Sequence, residues 1–159
     1  MSDVDAPVVG VDGVSRRAMV LMGAGTALAA LAPAATRAQP GIPSEQIHFP
    51  KGSTGATLKG TLKGRDPDTR DYLLVAKAGQ TMTVTMQTAS TSAYFNVMPP
   101  GSSGEAIYVG ETTGQMSWTA ALPADGQYTI RVYLNRAASR QGKSASYTLK
   151  VSIAGAPSS

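Results

Sequence analysis

A short alternation of apolar and polar residues recurs along this chain and constrains its fold more than any other feature. Between Thr81 and Thr88, Met82, Val84 and Met86 alternate with threonines. The segment from Tyr128 to Leu134 alternates in the same way. A period of two is the period of a β-strand with one buried face. Further segments of strand character are Ile47–Phe49, Leu58–Leu62, Asp71–Lys77, Tyr94–Met98, Ala106–Gly110, Met116–Ala120 and Ala145–Ile153.

Turn residues separate these segments, and no amphipathic helical period interrupts them after residue 38. Eight or nine short strands with Gly, Pro, Asn and Asp between them predict an all-β, antiparallel β-sandwich over residues 47–153. An all-β barrel is the alternative. The tight Ala78-Gly79-Gln80 connection predicts that the strands on either side of it form a hairpin. Tyr128, directly after Asp125-Gly126-Gln127, is placed as in a tyrosine corner, whose hydroxyl folds back onto the preceding turn.

The N-terminal 38 residues have the pattern of an export signal. Arg16-Arg17 precedes an uncharged run rich in Ala, Leu and Gly from Ala18 to Ala35, and small residues at Thr36 and Ala38 suit cleavage. The paired arginines and the weakly hydrophobic core favour the twin-arginine route over the general secretory one. A transmembrane anchor is the alternative, but the apolar run is short for that purpose. We therefore expect a cleaved signal, a flexible lead-in over residues 39–46, a periplasmic domain without a membrane span, and a disordered tail over residues 154–159.

Composition narrows the chemistry that the exported domain can perform. Removing residues 1–38 removes three basic and three acidic residues, so the net charge stays at +4. Mild basicity is compatible with an acidic partner protein or an anionic envelope polymer. The chain contains no cysteine, so neither a disulfide nor thiol catalysis is available to it.

Candidate catalytic and metal-binding residues are sparse. His48 is the only histidine, and no Gly-x-Ser-x-Gly motif accompanies it. Asp66, Asp68 and Asp71 lack the glycine and the distal glutamate of a calcium loop, so a solvated turn is the preferred interpretation. Glu105 and Glu111, six residues apart along a strand, would lie about 20 Å from each other, too far to act on one glycosidic bond. Thinly spread basic residues also argue against nucleic-acid binding. We expect a binding module with no cofactor and no metal, rather than an enzyme.

The predicted working surface is the basic loop that follows the strand ending at Leu134. Residues 135–144 contain Arg136, Arg140 and Lys143 within eight residues and no acid. Loops at one end of a sandwich frequently carry binding residues. The alternative is that these cations only keep the end of a sheet soluble.

Four segments, AKAGQTMTV, YFNVMPPGSSGEAIYVG, LPADGQYTIRVYLNRAASR and SYTLKVSI, resemble the periplasmic inhibitors of g-type lysozyme in order and spacing. The resemblance covers about residues 47–153. It implies a Greek-key sandwich, no catalysis, and a g-type lysozyme, an enzyme that cleaves peptidoglycan, as the protein partner. It also implies partner contacts by Arg136, Arg140 and Tyr72, although packing in the core or at an edge is the alternative for Tyr72.

The chain departs from this family in one connection. Residues 64–70 form a longer link than the family's usual one, and Arg65 stands where an aromatic residue is expected. A looser similarity links the same skeleton to pre-peptidase C-terminal domains, which are sandwiches attached to secreted enzymes. That similarity implies the second hypothesis, a non-catalytic envelope module that binds a glycan or another protein.

Overall fold

The computed structural model describes residues 41–155. The predicted export signal and residues 156–159 of the predicted tail lie outside this range. Nine strands and two short helices follow one another along it. They are β1 (Ser44–Gln46), β2 (Gly55–Lys63), β3 (Thr69–Ala76), β4 (Thr81–Thr88), β5 (Ala93–Met98), β6 (Tyr108–Val109), α1 (Gly110–Thr113), β7 (Ser117–Ala121), β8 (Gly126–Leu134), α2 (Arg136–Arg140) and β9 (Ser144–Ala154).

The strands form two sheets that enclose a common core. The five-stranded sheet has the order β1-β3-β8-β5-β6, and the four-stranded sheet has the order β2-β9-β4-β7. All pairings are antiparallel except that of β1 with β3. Most consecutive strands lie in opposite sheets, so the chain repeatedly crosses the core. The predicted antiparallel Greek-key β-sandwich is therefore confirmed.

The alternating pattern of the sequence matches the burial of side chains in both sheets. On β8, Tyr128, Ile130 and Val132 have no exposed surface, and on β9, Leu149 is also fully buried. The residues between them point to solvent, as expected of a sheet packed on one face. The hydroxyl of Tyr128 donates a 2.7 Å hydrogen bond to the carbonyl oxygen of Ala124, which confirms the tyrosine corner.

The predicted hairpin between β3 and β4 is wrong. β3 pairs with β8 in one sheet, and β4 pairs with β7 and β9 in the other. The connection between β3 and β4 is an arch that bonds to the β7–β8 connection: Gly79 donates to the carbonyl oxygen of Leu122 at 3.0 Å, and Ala78 donates to a carboxylate oxygen of Asp125 at 2.7 Å. A tight Gly-containing connection suits an arch as well as a hairpin, and only these distant partners distinguish the two.

Both ends of the domain are more ordered than predicted. Ser44–Gln46, within the predicted lead-in, pairs with residues 71–73 of β3, and the backbone amide of Asp71 donates to Pro43 at 2.9 Å. The first strand is therefore Ser44–Gln46, and the predicted strand Ile47–Phe49 is wrong, since those residues follow β1 as irregular chain. β9 extends to Ala154, one residue into the predicted tail. No helix among residues 41–155 is long and apolar enough to cross a bilayer.

Candidate functional site

The predicted basic loop contains α2, a helix of five residues between β8 and β9. Asn135 is its N-cap, and the side chain of Asn135 accepts a 2.9 Å hydrogen bond from the backbone amide of Ala138. Ala138 is 2% exposed and joins the hydrophobic core. A capped first turn and one buried residue are sufficient to fix so short a helix, which could not form alone in water. The basic segment is thus ordered where the sequence predicted an irregular loop.

α2 presents Arg136 and Arg140 to solvent on one side of the helix. Both residues are exposed, and their spacing of four places the side chains next to each other. Among residues 41–155, no hydrogen bond or ion pair engages either guanidinium group. Two like charges at this spacing repel, and Arg136 lies in a first turn that holds no acid, where the helix dipole disfavours a cation. Arg136 therefore does not serve to stabilise the helix, whereas Arg140 lies in the last turn, where the helix dipole favours a cation.

The connection between β2 and β3 holds α2 in place at its C-terminal end. Nη2 of Arg65 donates a 2.8 Å hydrogen bond to the carbonyl oxygen of Arg140. The backbone amide of Gly64 donates to the carbonyl oxygen of Lys143 at 2.7 Å. The hydroxyl of Ser139 donates to the carboxylate of Asp68. These contacts join two segments that lie more than 70 residues apart in the sequence.

Two backbone features make this close approach possible. A Cβ atom at Gly64 would lie 2.5 Å from the carbonyl oxygen of Ser139, so only glycine fits there. Arg65 has a φ of +77°, and it is the one non-glycine residue within 41–155 with positive φ. A left-handed conformation costs a residue with a side chain about 1–2 kcal/mol. The surrounding hydrogen bonds hold this strained residue, and its guanidinium lies at the C-terminal end of α2.

Arg65 is a site residue that the sequence prediction did not select. Its neighbours Asp66 and Pro67 read as turn residues, and its contact with Arg140 spans 75 residues. The sequence signal was the departure from the family pattern at this position. In the structure, Arg65 is a third exposed arginine beside Arg136 and Arg140.

Tyr72 requires a correction. Its side chain has no exposed surface, and its hydroxyl lies 2.7 Å from that of Tyr147 in the opposite sheet. Burial raises the pKa of Tyr147 well above its ordinary value, and the hydrogen bond to Tyr72 adds to this effect. A fully buried side chain cannot contact a partner unless the core opens. We therefore assign Tyr72 to the core and not to the binding surface.

The outer face of the five-stranded sheet continues from α2 along β8. The rings of Tyr94 and Tyr133 lie 6.2 Å apart there, and the single hydroxyl proton of Tyr133 has two alternative acceptors, Oδ1 of Asn96 at 3.3 Å and Oε2 of Glu111 at 3.4 Å. Burial, followed by the charge of Glu111, raises the pKa of Tyr133 to about 12. The Tyr133 phenol therefore remains neutral in neutral solution.

Farther along β8, Arg131 forms a bidentate ion pair with Asp71, with N–O distances of 2.7 and 2.8 Å. The hydrogen bond to Asp71 is the largest cause of the raised pKa of Arg131. Asp71 is 4% exposed, so this pair is structural and not available to a partner. No group of three or more potential metal ligands occurs within residues 41–155.

The arrangement near α2 can be compared with that of known proteins. The chain is 31% identical over 110 residues to the inhibitor of g-type lysozyme of Escherichia coli strain K12, covering 67% of this chain and 78% of that protein. The chain belongs to this family. No model in a scan of protein families matches it.

Solved structures of the inhibitor family have the same fold. The chain is 45% identical to PliG of Aeromonas hydrophila, a periplasmic inhibitor of g-type lysozyme, with a TM-score of 0.64 over 71% of this chain and 97% of that one. It is 28% identical to PliG of Salmonella Typhimurium, with a TM-score of 0.55 over 70% and 98% of the two chains. A pre-peptidase C-terminal domain of a Bacillus anthracis collagenase matches more weakly, with 16% identity and a TM-score of 0.48. These PliG relatives are named as periplasmic inhibitors, so the chain belongs to a family of non-catalytic periplasmic proteins.

Proposed function

We propose that this protein inhibits a g-type lysozyme in the periplasm by inserting α2 into the substrate groove of the enzyme. Its membership of a family of such inhibitors supports the choice of partner. The exposed pair Arg136 and Arg140 is the observation that carries the choice of surface. These two guanidinium groups have no partner among residues 41–155, although their position on α2 is held by several contacts.

The chemistry of arginine suits this role. Lysozymes act with acidic side chains in a groove that binds sugars, and a protruding cationic segment complements such a groove in shape and charge. A guanidinium group can donate two parallel hydrogen bonds to one carboxylate, which a lysine cannot do. Arg136 and Arg140, side by side on α2, would each engage an acidic side chain of the enzyme.

The rigidity of α2 favours tight binding. The N-cap at Asn135 and the contacts from residues 64–68 order the backbone before any partner arrives. A preordered segment loses less conformational entropy on binding than a flexible loop. Arg65 extends the same surface with a third cation. The structure of α2 thus accounts for how a segment of five residues could act as an inhibitory element.

Single alanine substitutions at Arg136 and Arg140 test this proposal. Truncating one partner of a buried, hydrogen-bonded charge pair costs about 2–5 kcal/mol, which weakens binding by about 30-fold or more. We expect each variant to inhibit a g-type lysozyme at least tenfold less well than the parent, with an unchanged melting temperature. Lys77→Ala is the matched control, because Lys77 is an exposed cation after β3, at the opposite end of that strand from α2.

Two results would contradict the proposal in different ways. If the parent does not inhibit g-type lysozyme, the assigned partner is wrong. If the parent inhibits but Arg136→Ala and Arg140→Ala inhibit equally well, the partner stands and α2 is not the inhibitory element.

A further inference from the structure

The outer face of the four-stranded sheet holds a groove that the inhibitory surface does not use. Two shallow depressions, of about 730 and 590 Å³, lie on neighbouring stretches of strands β2, β9 and β4. A third, of about 360 Å³, continues past Ala89 and Ser146 towards Lys143. Outward residues of β9 from Ser144 to Ser152 run along all three, a distance of about 26 Å at the usual rise per residue. We call this surface the hydroxyl groove.

Most of the outward strand positions that line the groove carry a hydroxyl group. Outward positions that line it include Thr57, Thr61, Thr83, Thr85, Ser146, Thr148 and Ser152. Some of these hydroxyls are paired across strands: Thr61 lies 3.1 Å from Ser146, and Thr85 lies 3.0 Å from Ser117. Each such pair consumes one hydroxyl proton, so the second proton and several lone pairs remain available to a ligand. β-Branched threonine side chains are also stiff, so this surface is largely preorganised.

The charge on this face has a single sign. Lys59 and Lys150 line the groove, and the strand register makes them diagonal neighbours on β2 and β9. The four strands of the sheet, β2, β4, β7 and β9, contain no Asp or Glu. The seven acids of residues 41–155 all lie elsewhere, either on the five-stranded sheet or in its connections. Such a face attracts anions, and no neighbouring carboxylate neutralises its lysines.

The groove also lacks the features of other binding surfaces. Trp118 of β7 packs against the core and not outwards, so the groove offers no aromatic platform for stacking. Its outward side chains are mainly Thr, Ser and Lys, and it has no exposed large apolar side chain on which an apolar helix or a lipid would pack. A long, shallow, hydroxyl-rich surface with three lysines, Lys59, Lys143 and Lys150, fits an extended polymer that carries both hydroxyl and carboxylate groups.

We propose that the hydroxyl groove binds peptidoglycan, a glycan polymer whose peptide side chains carry free carboxylates. The threonine and serine hydroxyls would bond to sugar hydroxyls and amides, and Lys59 and Lys150 would pair with the carboxylates of these peptides. Binding there leaves Arg136 and Arg140 free, because neither of them lines the groove. This site would hold the protein on the polymer that a lysozyme attacks, independently of how the enzyme is inhibited.

Co-sedimentation of the protein with purified, insoluble peptidoglycan, without lysozyme, tests this proposal. We expect the double variant Lys59→Gln, Lys150→Gln to have an apparent dissociation constant for peptidoglycan that is raised by about fivefold or more. The effect is moderate because each exposed ion pair contributes modestly. Thr61→Val with Thr148→Val keeps shape and charge while removing two hydroxyls, and it should weaken binding as well. Arg136→Gln with Arg140→Gln removes the same charge from α2 and should leave sedimentation unchanged.

Chemically modified polymers identify the group that is recognised. Peptidoglycan whose carboxyl groups have been converted to amides should sediment less of the parent protein, and chitin, a neutral glycan, should sediment little. No sedimentation with peptidoglycan, or equal losses for the α2 and groove variants, would overturn the proposal. Equal binding to the native and amidated polymers would also overturn it. The groove variants should still inhibit lysozyme on a soluble substrate, so failure of one proposal is distinguishable from failure of the other.

Discussion

Nη2 of Arg65 donates a hydrogen bond of 2.8 Å to the backbone carbonyl oxygen of Arg140, the last residue of α2. This carbonyl lies at the C-terminal end of the helix, where peptide oxygens lack intrahelical partners and where a cation is favoured by the helix dipole. Arg65 therefore stabilises α2. Arg136 has the opposite effect, because its positive charge lies in the first turn of the helix. The strained backbone of Arg65 and the position of α2 are coupled through this one contact.

Substituting Arg65 by glycine separates the effect of its backbone strain on stability from the effect of its hydrogen bond to Arg140. Arg65→Gly loses a charged hydrogen bond but relieves the left-handed strain, and each effect is about 1–2 kcal/mol. We expect its free energy of unfolding to lie within about 1 kcal/mol of the parent. Arg65→Ala loses the bond and keeps the strain, so it should be the less stable of the two. Both should inhibit lysozyme several-fold less well, because α2 loses an anchor and the surface loses a cation.

Arg65→Lys is the control for charge. It keeps the cation while losing the planar geometry of the guanidinium group. Inhibition restored to the level of the parent would show that charge is what matters at this position. Equal denaturation midpoints for Arg65→Ala and Arg65→Gly would contradict the strain that the backbone of Arg65 indicates.

The hydroxyl pair of Tyr72 and Tyr147 yields a second prediction, which tests the correction made for Tyr72. Tyr72→Phe leaves the buried hydroxyl of Tyr147 without its partner, which costs about 1–3 kcal/mol. We expect chemical denaturation to show this loss while inhibition of lysozyme stays unchanged. The double variant with Tyr147→Phe should lose less stability than the sum of the single variants, since neither unpaired hydroxyl remains. A large loss of inhibition with unchanged stability would show that Tyr72 contacts the partner and that its assignment to the core alone is wrong.

Local patterns in the sequence were sufficient to predict most of the strands and one of the turns. Burial alternates along β4 and β8 as their residue types do, because strand geometry depends on neighbours two residues apart. The tyrosine corner at Tyr128 also depends on a contact only four residues long. Arg136 and Arg140 were selected by the charge of their loop and by the resemblance to the inhibitor family, and the structure shows both to be exposed.

Long-range partnerships could not be predicted in this way. The choice between a hairpin and an arch after β3 depends on contacts with Leu122 and Asp125, more than 40 residues away. The involvement of Arg65 depends on a contact across 75 residues. α2 itself had a local signal, since Asn135 is a favourable N-cap, but so short a helix leaves no periodic pattern. The hydroxyl groove could not be predicted, because the sequence of each of its strands is that of an ordinary strand with one solvent-exposed face.

The raised pKa of Tyr133 leads to a prediction at alkaline pH. Burial is the larger cause of the shift from 10.0 to about 12, and the charge of Glu111 is the next. The native state therefore keeps its Tyr133 proton at pH values where the unfolded chain has lost it. Stability contributed by the neutral phenol is complete below pH 10 and is lost as the pH rises through about 12.

Glu111→Gln separates the two causes of this shift. We expect the pKa of Tyr133 to fall in this variant but to stay above 10.0, because burial remains. The phenolate absorbance of the parent should contain a transition that Tyr133→Phe removes, and NMR of the ring carbons can assign it directly. Glu105→Gln is the matched control, since the hydroxyl of Tyr133 bonds to Glu111 and to Asn96. If Tyr133 of the parent titrated at its ordinary value, the hydroxyl would be hydrated, and its contact with Glu111 would differ from that described.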